Sequence, residues 1–188
     1  MNDIVITSLY KNFGEKLIFE NLNISFKAGS RTAIMAKSGR GKSTLVKMIA
    51  GIDKQFEGDI SGVPENIAMV FQEDRLCESF SAGLNISLSG NADESEINSI
   101  LEHFDMSGEI KTKVINLSGG MKRKVAIARA LLADSELLIL DEPFTGLDTN
   151  SKEKVAKTIL DYAKDKTVII ITHNNDEAKL LHAEVQMI

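Results

Sequence analysis

The 188-residue chain contains no tryptophan, two prolines and a single cysteine. One cysteine closes no internal disulfide, so a bridge-stapled secreted scaffold is excluded and a reducing compartment is the natural reading. With no histidine or CxxC partner near it in sequence, Cys77 reads as an inert small hydrophobe rather than a reactive thiol. The two prolines, Pro64 and Pro143, fall at expected loops and form no Pro-rich linker. No apolar run approaches the roughly 20 residues of a membrane span. Residues 1–11 also lack the basic segment and apolar core of a secretory leader. Basic charge is not in excess either: 22 Lys and Arg face 27 Asp and Glu, a net charge of −5. That balance argues against broad electrostatic binding to nucleic acid. Work at a membrane would then have to pass through a partner that spans it.

What is present is an alternation of strand and helix. A chain of this length buries roughly 70% of its unfolded surface as one domain, without metal or disulfide staples. Residues 2–9 and 22–27 read as strands, the second alternating polar and apolar side chains as a half-exposed antiparallel strand does. Gly14 marks a turn between them. Arg31–Met35 is a short strand leading into a glycine-containing loop. Residues 42–50 follow with helical spacing of Leu45, Val46, Met48 and Ile49, and Gly51 suits the position just past the helix end. The runs 67–71, 137–140 and 167–172 are continuously apolar, as parallel strands covered on both faces are. Helical patterns at 122–132 and 150–164 alternate with them, which predicts an α/β fold around a parallel sheet. Residues 73–116 are polar and loop-rich, with one amphipathic helix at 94–104 and no buried strand. They read as a small helical insertion. The expected organisation is a single domain, 1–188, with a catalytic core at 1–72 and 117–188 and a helical subdomain at 73–116.

Residues 36–44 (Ala36, Lys37, Ser38, Gly39, Arg40, Gly41, Lys42, Ser43, Thr44) sit between a strand and a helix, where a phosphate-binding loop belongs. The glycines let successive N–H groups turn inward, Lys42 neutralises phosphate charge, and Ser43 can ligate a magnesium ion. The usual pattern begins with glycine, and Ala36 stands there instead. If the backbone at Ala36 requires a positive φ, alanine costs about 1–2 kcal/mol and weakens the site around tenfold. Asp141 and Glu142 follow a buried apolar run, so Asp141 can face a metal shell while Glu142 polarises an attacking water. Gln72 follows the run 67–71 and can coordinate a metal or orient water without adding charge. His173 ends the run 167–172. Leu117, Ser118, Gly119 and Gly120 open a helical pattern, a second place where helix N–H groups can meet an anion. One small site rarely needs two such cradles.

Taken together these motifs resemble, over nearly the whole chain, the nucleotide-binding domain of ATP-binding cassette (ABC) transporters. The resemblance implies a P-loop NTPase (RecA-like) parallel sheet, an N-terminal antiparallel β subdomain and a small inserted α-helical subdomain. Phe13 matches the family's adenine-stacking aromatic, 36–44 its Walker A loop, Gln72 its Q-loop and 117–120 its signature motif. Residues 137–141 match Walker B, Glu142 the catalytic glutamate, 145–148 the D-loop and His173 the switch histidine. ATP and Mg²⁺ are the implied substrate and cofactor, with Ser43, Gln72 and Asp141 around the metal. Glu142, His173, Gln72 and Lys42 take catalytic roles. Phe13, residues 36–44, Ser118, Gly119, Gly120 and Asp148 contact nucleotide. Residues 70–76 and 119–129 look like importer ATPases of the nitrate, sulfonate and taurine type. Departures are Ala36, and Met121 where many members carry glutamine. Only 15 residues follow His173, which suggests a minimal cassette without a C-terminal regulatory domain.

The resemblance further implies two copies, or a copy and a homologous cassette, closing head to tail on two ATP molecules. Each ATP lies between Lys42 and Ser43 of one chain and Ser118 and Gly120 of the other, which gives both cradles a use. Transmembrane permease subunits and, in importers, a solute-binding protein are the expected partners; nucleic acid is not. The expected location is cytoplasmic, on the inner face of the cell membrane through the permease. Two alternatives stay open. One is a non-transport ABC ATPase acting on DNA or the ribosome. The other, favoured by Ala36, is a regulatory cassette that binds nucleotide without turnover.

Overall fold

Two of the continuously apolar runs, 137–140 and 167–172, become inner strands of a parallel sheet, and the third, 67–71, lies at its edge. The computed structural model describes residues 1–37, 39–90 and 92–188. Among these residues β3 (Arg31–Met35), β5 (Ile67–Val70), β6 (Leu137–Asp141), β7 (Thr167–Ile171) and β8 (Glu184–Met187) form a sheet of order β5-β6-β7-β3-β8. All of its pairings are parallel. Every residue of β6 and β7 is buried, as continuous Leu, Ile and Val runs require when both faces are covered. Crossovers are made by α1 (Lys42–Ile49), α4 (Gly119–Leu131), α5 (Thr149–Tyr162) and α6 (Asn175–Leu180). The C-terminal ends of β3, β5, β6 and β7 therefore share one edge, where ligands of open parallel sheets bind.

A second sheet, β2-β1-β4, is antiparallel and comprises β1 (Ile4–Phe13), β2 (Lys16–Phe26) and β4 (Glu57–Ser61). Its first two strands reach well past the expected 2–9 and 22–27. Ser8 and Asn21 take φ of 49° and 53° where the register shifts, and such bulges reset the alternation of inward and outward side chains. The pattern is legible only on either side of them. Phe13 thus sits at the end of a strand, paired with Lys16 across the Gly14 turn. Sequence reasoning also missed β4 and β8, both short edge strands with polar residues. In β4, Gly58 has φ 103° and lies so close to β1 that a Cβ would meet the Ser8 carbonyl oxygen at 2.5 Å.

The sheet divides the core between its two faces. Ile34, Leu137, Ile139, Ile169 and Ile171 pack with α1 and with Ile4, Ile6, Leu9, Phe19 and Phe26 of the antiparallel sheet. Ala33, Leu138, Leu140, Val168 and Ile170 pack with α4, α5 and the helices of the insertion. The insertion holds the expected helix, α3 (Glu94–His103), opened by a reciprocal Asp93–Glu96 capping box. It also holds an unexpected one, α2 (Ala82–Ser87), capped by Ser81. Six residues are too few to show a helical period. Cys77 is exposed rather than packed as a small hydrophobe, and it is its main chain that is anchored, the buried Asn85 side chain bonding both its N–H and its carbonyl.

Candidate active site

The loop after β3 leads into a helix start whose first N–H groups face the end of the sheet. Gly41 precedes α1 at φ 90° and supplies no side-chain cap. The first intrahelical bond runs from the Leu45 N–H to the Gly41 carbonyl, 2.8 Å. The N–H groups of Lys42, Ser43 and Thr44 are left at the N-terminal end, with the positive pole of the helix behind them. Gly39 is also left-handed, at 79°. Ala36 is absent from the left-handed residues, so its methyl strains nothing and the anticipated tenfold weakening has no backbone origin. Its carbonyl accepts a hydrogen bond from Lys42 Nζ at 2.9 Å, which holds the ammonium at the loop. Lys37 and Arg40 are exposed. Arg40 lines a neighbouring groove along β2 instead of the cleft. Ser38 lies outside the described residues.

The two acids at the end of β6 sit in different environments. Asp141 is only 2% exposed, and its Oδ1 is buried without a hydrogen-bond partner among the described residues. Burial pushes its carboxyl above the usual carboxylate range; the Ser43 hydroxyl opposes that shift and the neighbouring Glu142 charge adds to it. Glu142 takes a left-handed φ of 51°, which turns its side chain off the strand path. His173, largely exposed, follows β7 and places Nδ1 3.1 Å from both carboxylate oxygens of Glu142.

Phe13, Gly39, Gly41, Lys42, Ser43, Thr44, Gln72, Asp141 and Glu142 line one cleft of about 360 Å³, together with Lys16, Ile18 and Ile171. Phe13 is 53% exposed there, one face of its ring approached by Lys11 Nζ at 4.6 Å from the centroid. Ser118, Gly119, Gly120 and Asp148 do not line this cleft. Ser118 caps α4, its hydroxyl accepting from the Met121 N–H at 3.3 Å. Gly120 lies under the 145–148 turn, where a Cβ would stand 3.3 Å from the Gly146 carbonyl oxygen. Asp148 caps α5 through the N–H and hydroxyl of Ser151, which hold its carboxyl below the usual range.

The donor set suits a magnesium ion. The unpartnered Asp141 oxygen, the adjacent Ser43 hydroxyl and the Gln72 amide are hard oxygen donors. Among the described residues no group of three or more His, Cys, Asp or Glu forms a closed metal cage. Mg²⁺ is usually held in this way, by one or two protein oxygens with substrate phosphates and water completing the shell.

Two supporting residues escaped sequence reasoning. Lys11, in β1, is buried and paired with Asp53 at 2.8 Å, so it fixes the strand that presents Phe13. Arg123 is 3% exposed although it lies in the basic run Lys122-Arg123-Lys124. Its signal was its place on α4: Ala126, Ile127 and Ala130, three, four and seven positions on, are apolar and mark the inward face.

A family model described as "ABC transporter" matches residues 19–145. The aliphatic sulfonates import ATP-binding protein SsuB 1 of Pseudomonas savastanoi pv. phaseolicola is 33% identical over 179 residues, 93% of this chain and 76% of that protein. SsuB of Bacillus anthracis is 36% identical over 90% of this chain and 72% of that protein. The tungstate uptake system ATP-binding protein TupC of Peptoclostridium acidaminophilum is 34% identical over 95% of this chain and 90% of that protein. A solved structure of a bacterial Atm1-family ABC exporter with ATP bound aligns with a TM-score of 0.84 at 24% identity. The alignment covers 94% of this chain and 35% of that one, and it shows a shared P-loop NTPase fold.

Proposed function

The chain belongs to the ABC transporter family, and from that premise we propose that it is the ATP-hydrolysing subunit of an importer, driven by head-to-tail closure of two such cassettes. The observation that carries the reading is the separation of two anion cradles. Lys42 and Ser43 line the cleft with Gln72, Asp141 and Glu142, while Ser118 and the two glycines open α4 outside it. A cradle outside the chain's own cleft is of use to a second chain.

In this reading Phe13 stacks on adenine, and the loop around Gly39 to Thr44 binds the phosphates through main-chain N–H groups. Lys37, Ser38 and Arg40 take the remaining loop positions. Lys42 leaves the Ala36 carbonyl for phosphate oxygens. Ser43, Asp141 and Gln72 would hold Mg²⁺, which when bound would neutralise phosphate charge. Glu142 orients and polarises the attacking water, and His173 exchanges its contact with Glu142 for one with the γ-phosphate. Ser118, Gly119 and Gly120 of the facing chain complete the site, and Asp148 lies at the junction between the two sites. Loss of the γ-phosphate releases the grip of both chains, so the dimer opens. The helical insertion, 73–116, acts as a subdomain on the core of 1–72 and 117–188 and passes this motion to permease subunits. No described helix is long and apolar enough to cross a membrane, so a cytoplasmic position at the membrane would come from docking to the permease. Import is favoured by relatives named for sulfonate import and tungstate uptake; a solute-binding protein would then supply the cargo. Magnesium-dependent phosphate release by the purified chain, abolished in Lys42→Ala, is the expected result. Turnover unaffected by Lys42→Ala would sink the assignment.

A further inference from the structure

Arg123 spends all five of its N–H donors inside the protein. Nε donates to the Pro143 carbonyl at 3.1 Å. Nη2 donates to the carbonyls of Asp141 and Glu142 at 2.6 and 2.7 Å. Nη1 donates to the Phe71 carbonyl at 2.6 Å and to Asp74 Oδ1 at 3.1 Å. Four of the five acceptors are neutral main-chain carbonyls, and the one carboxylate is itself partly exposed. Burying a cation this way is a poor route to stability, since desolvation is weakly compensated. What the arrangement does achieve is geometric. Three acceptors are consecutive and surround Glu142, whose left-handed φ of 51° costs about 1–3 kcal/mol and persists only where the surroundings hold it. A fourth immediately precedes Gln72. Further along the same helix, Arg129 donates to the carbonyls of Arg75 and Asp74 at 3.1 and 3.3 Å, and Arg75 is also left-handed, at 47°.

We propose that Arg123 is a positioning residue for hydrolysis, locking the main chain that carries Glu142 and the main chain that leads into Gln72 to helix α4 as one unit. The inference rests on the roles given above to Glu142 and Gln72. Helix α4 is capped by Ser118, so the element that would grip the facing chain's nucleotide also sets this chain's own water-activating glutamate. A planar fork is required because the carbonyls of Phe71 and Pro143 are reached from opposite ends of the guanidinium. A lysine ammonium carries its three donors on one atom and cannot bridge them.

The test compares the full chain with Arg123→Lys and Arg123→Met, by thermal melting, steady-state phosphate release and amide hydrogen exchange at Glu142 and Thr145. Arg123→Lys is the milder change, because its ammonium still donates to some of the buried carbonyls. Its kcat is expected to fall about tenfold while KM for ATP stays within about threefold, the pattern of an interaction needed in the transition state. Exchange at both amides accelerates, and Arg123→Met shows the larger effect in each readout. Wild-type kcat in a folded Arg123→Lys chain, a loss confined to KM, or unchanged exchange would each overturn the proposal. If Arg123→Met fails to fold, Arg123→Lys decides alone. Absence of turnover in the wild-type chain would count against the ATPase reading instead, and the exchange comparison would still judge the positioning role.

Discussion

Replacing Gly41 and Gly39 separately by alanine isolates what the phosphate loop asks of its glycines. Both residues are left-handed, at 90° and 79°, so each substitution carries a backbone penalty of about 1–2 kcal/mol. Their surroundings differ. A Cβ on Gly39 meets nothing among the described residues within 4 Å, whereas one on Gly41 would overlap Ile18 Cγ2 and stand 2.8 Å from Phe19 Cζ. Phe19 is buried in the core shared by α1 and the antiparallel sheet, so its ring cannot simply swing away. Forcing a methyl into such a site adds about 1–3 kcal/mol. In a domain of this size each kcal/mol moves Tm by about 2–4 °C. Gly41→Ala should therefore melt several degrees below Gly39→Ala. Because relief comes by moving the start of α1, it should also lose more affinity for ATP, since the N–H groups of Lys42, Ser43 and Thr44 shift with it. Thermal melting with and without ATP reads both quantities. Equal melting of the two variants, or a more stable Gly41→Ala, would refute the packing argument.

Glu142→Gln should reduce phosphate release by about 10²–10⁴-fold while ATP-dependent dimerisation persists, measured by light scattering; intact turnover would remove Glu142 as the base. Asp53→Asn tests the anchor of β1. The hydrogen bond from Lys11, with one from the Gln55 N–H, holds the Asp53 carboxyl below its usual range. A lowered pKa in the fold contributes stability above the ordinary carboxylate value of about 3.9 and loses it as pH falls through the folded value. The variant should thus lie about 1–3 kcal/mol below wild type at pH 7, and the gap should close in acid. A gap independent of pH would mean that the pair is not its source.

The buried parallel strands were legible because continuous apolar runs have few other uses, and the bounds of β3 matched residue for residue. The antiparallel sheet was legible only in part. Bulges at Ser8 and Asn21 break its period, and β4 and β8 pair through main-chain groups at sheet edges where composition carries little information. The cleft was foreshadowed by residue types that chemistry needs at helix and strand ends: Lys42, Ser43, Gln72, Asp141, Glu142. Its supports were not. The Arg123 fork acts on carbonyls, and every residue has a carbonyl, so no spacing pattern announces it. Ala36 shows the converse, where a missing glycine looked costly in sequence and the backbone angle shows that glycine was not required.

The central claim, that Ser118 serves a site built on another copy of the chain, is tested most directly by mixing two inactive variants. Lys42→Ala has no working loop, and Ser118→Arg has no working cradle to lend. In a mixed head-to-tail dimer one site pairs the intact Lys42 of one chain with the intact Ser118 of the other. Random association of equal amounts should restore about a quarter of wild-type phosphate release, because half the dimers are mixed and each has one complete site. Ser118→Arg that hydrolyses normally by itself, or a mixture of two dead variants that forms mixed dimers and stays dead, would contradict the account.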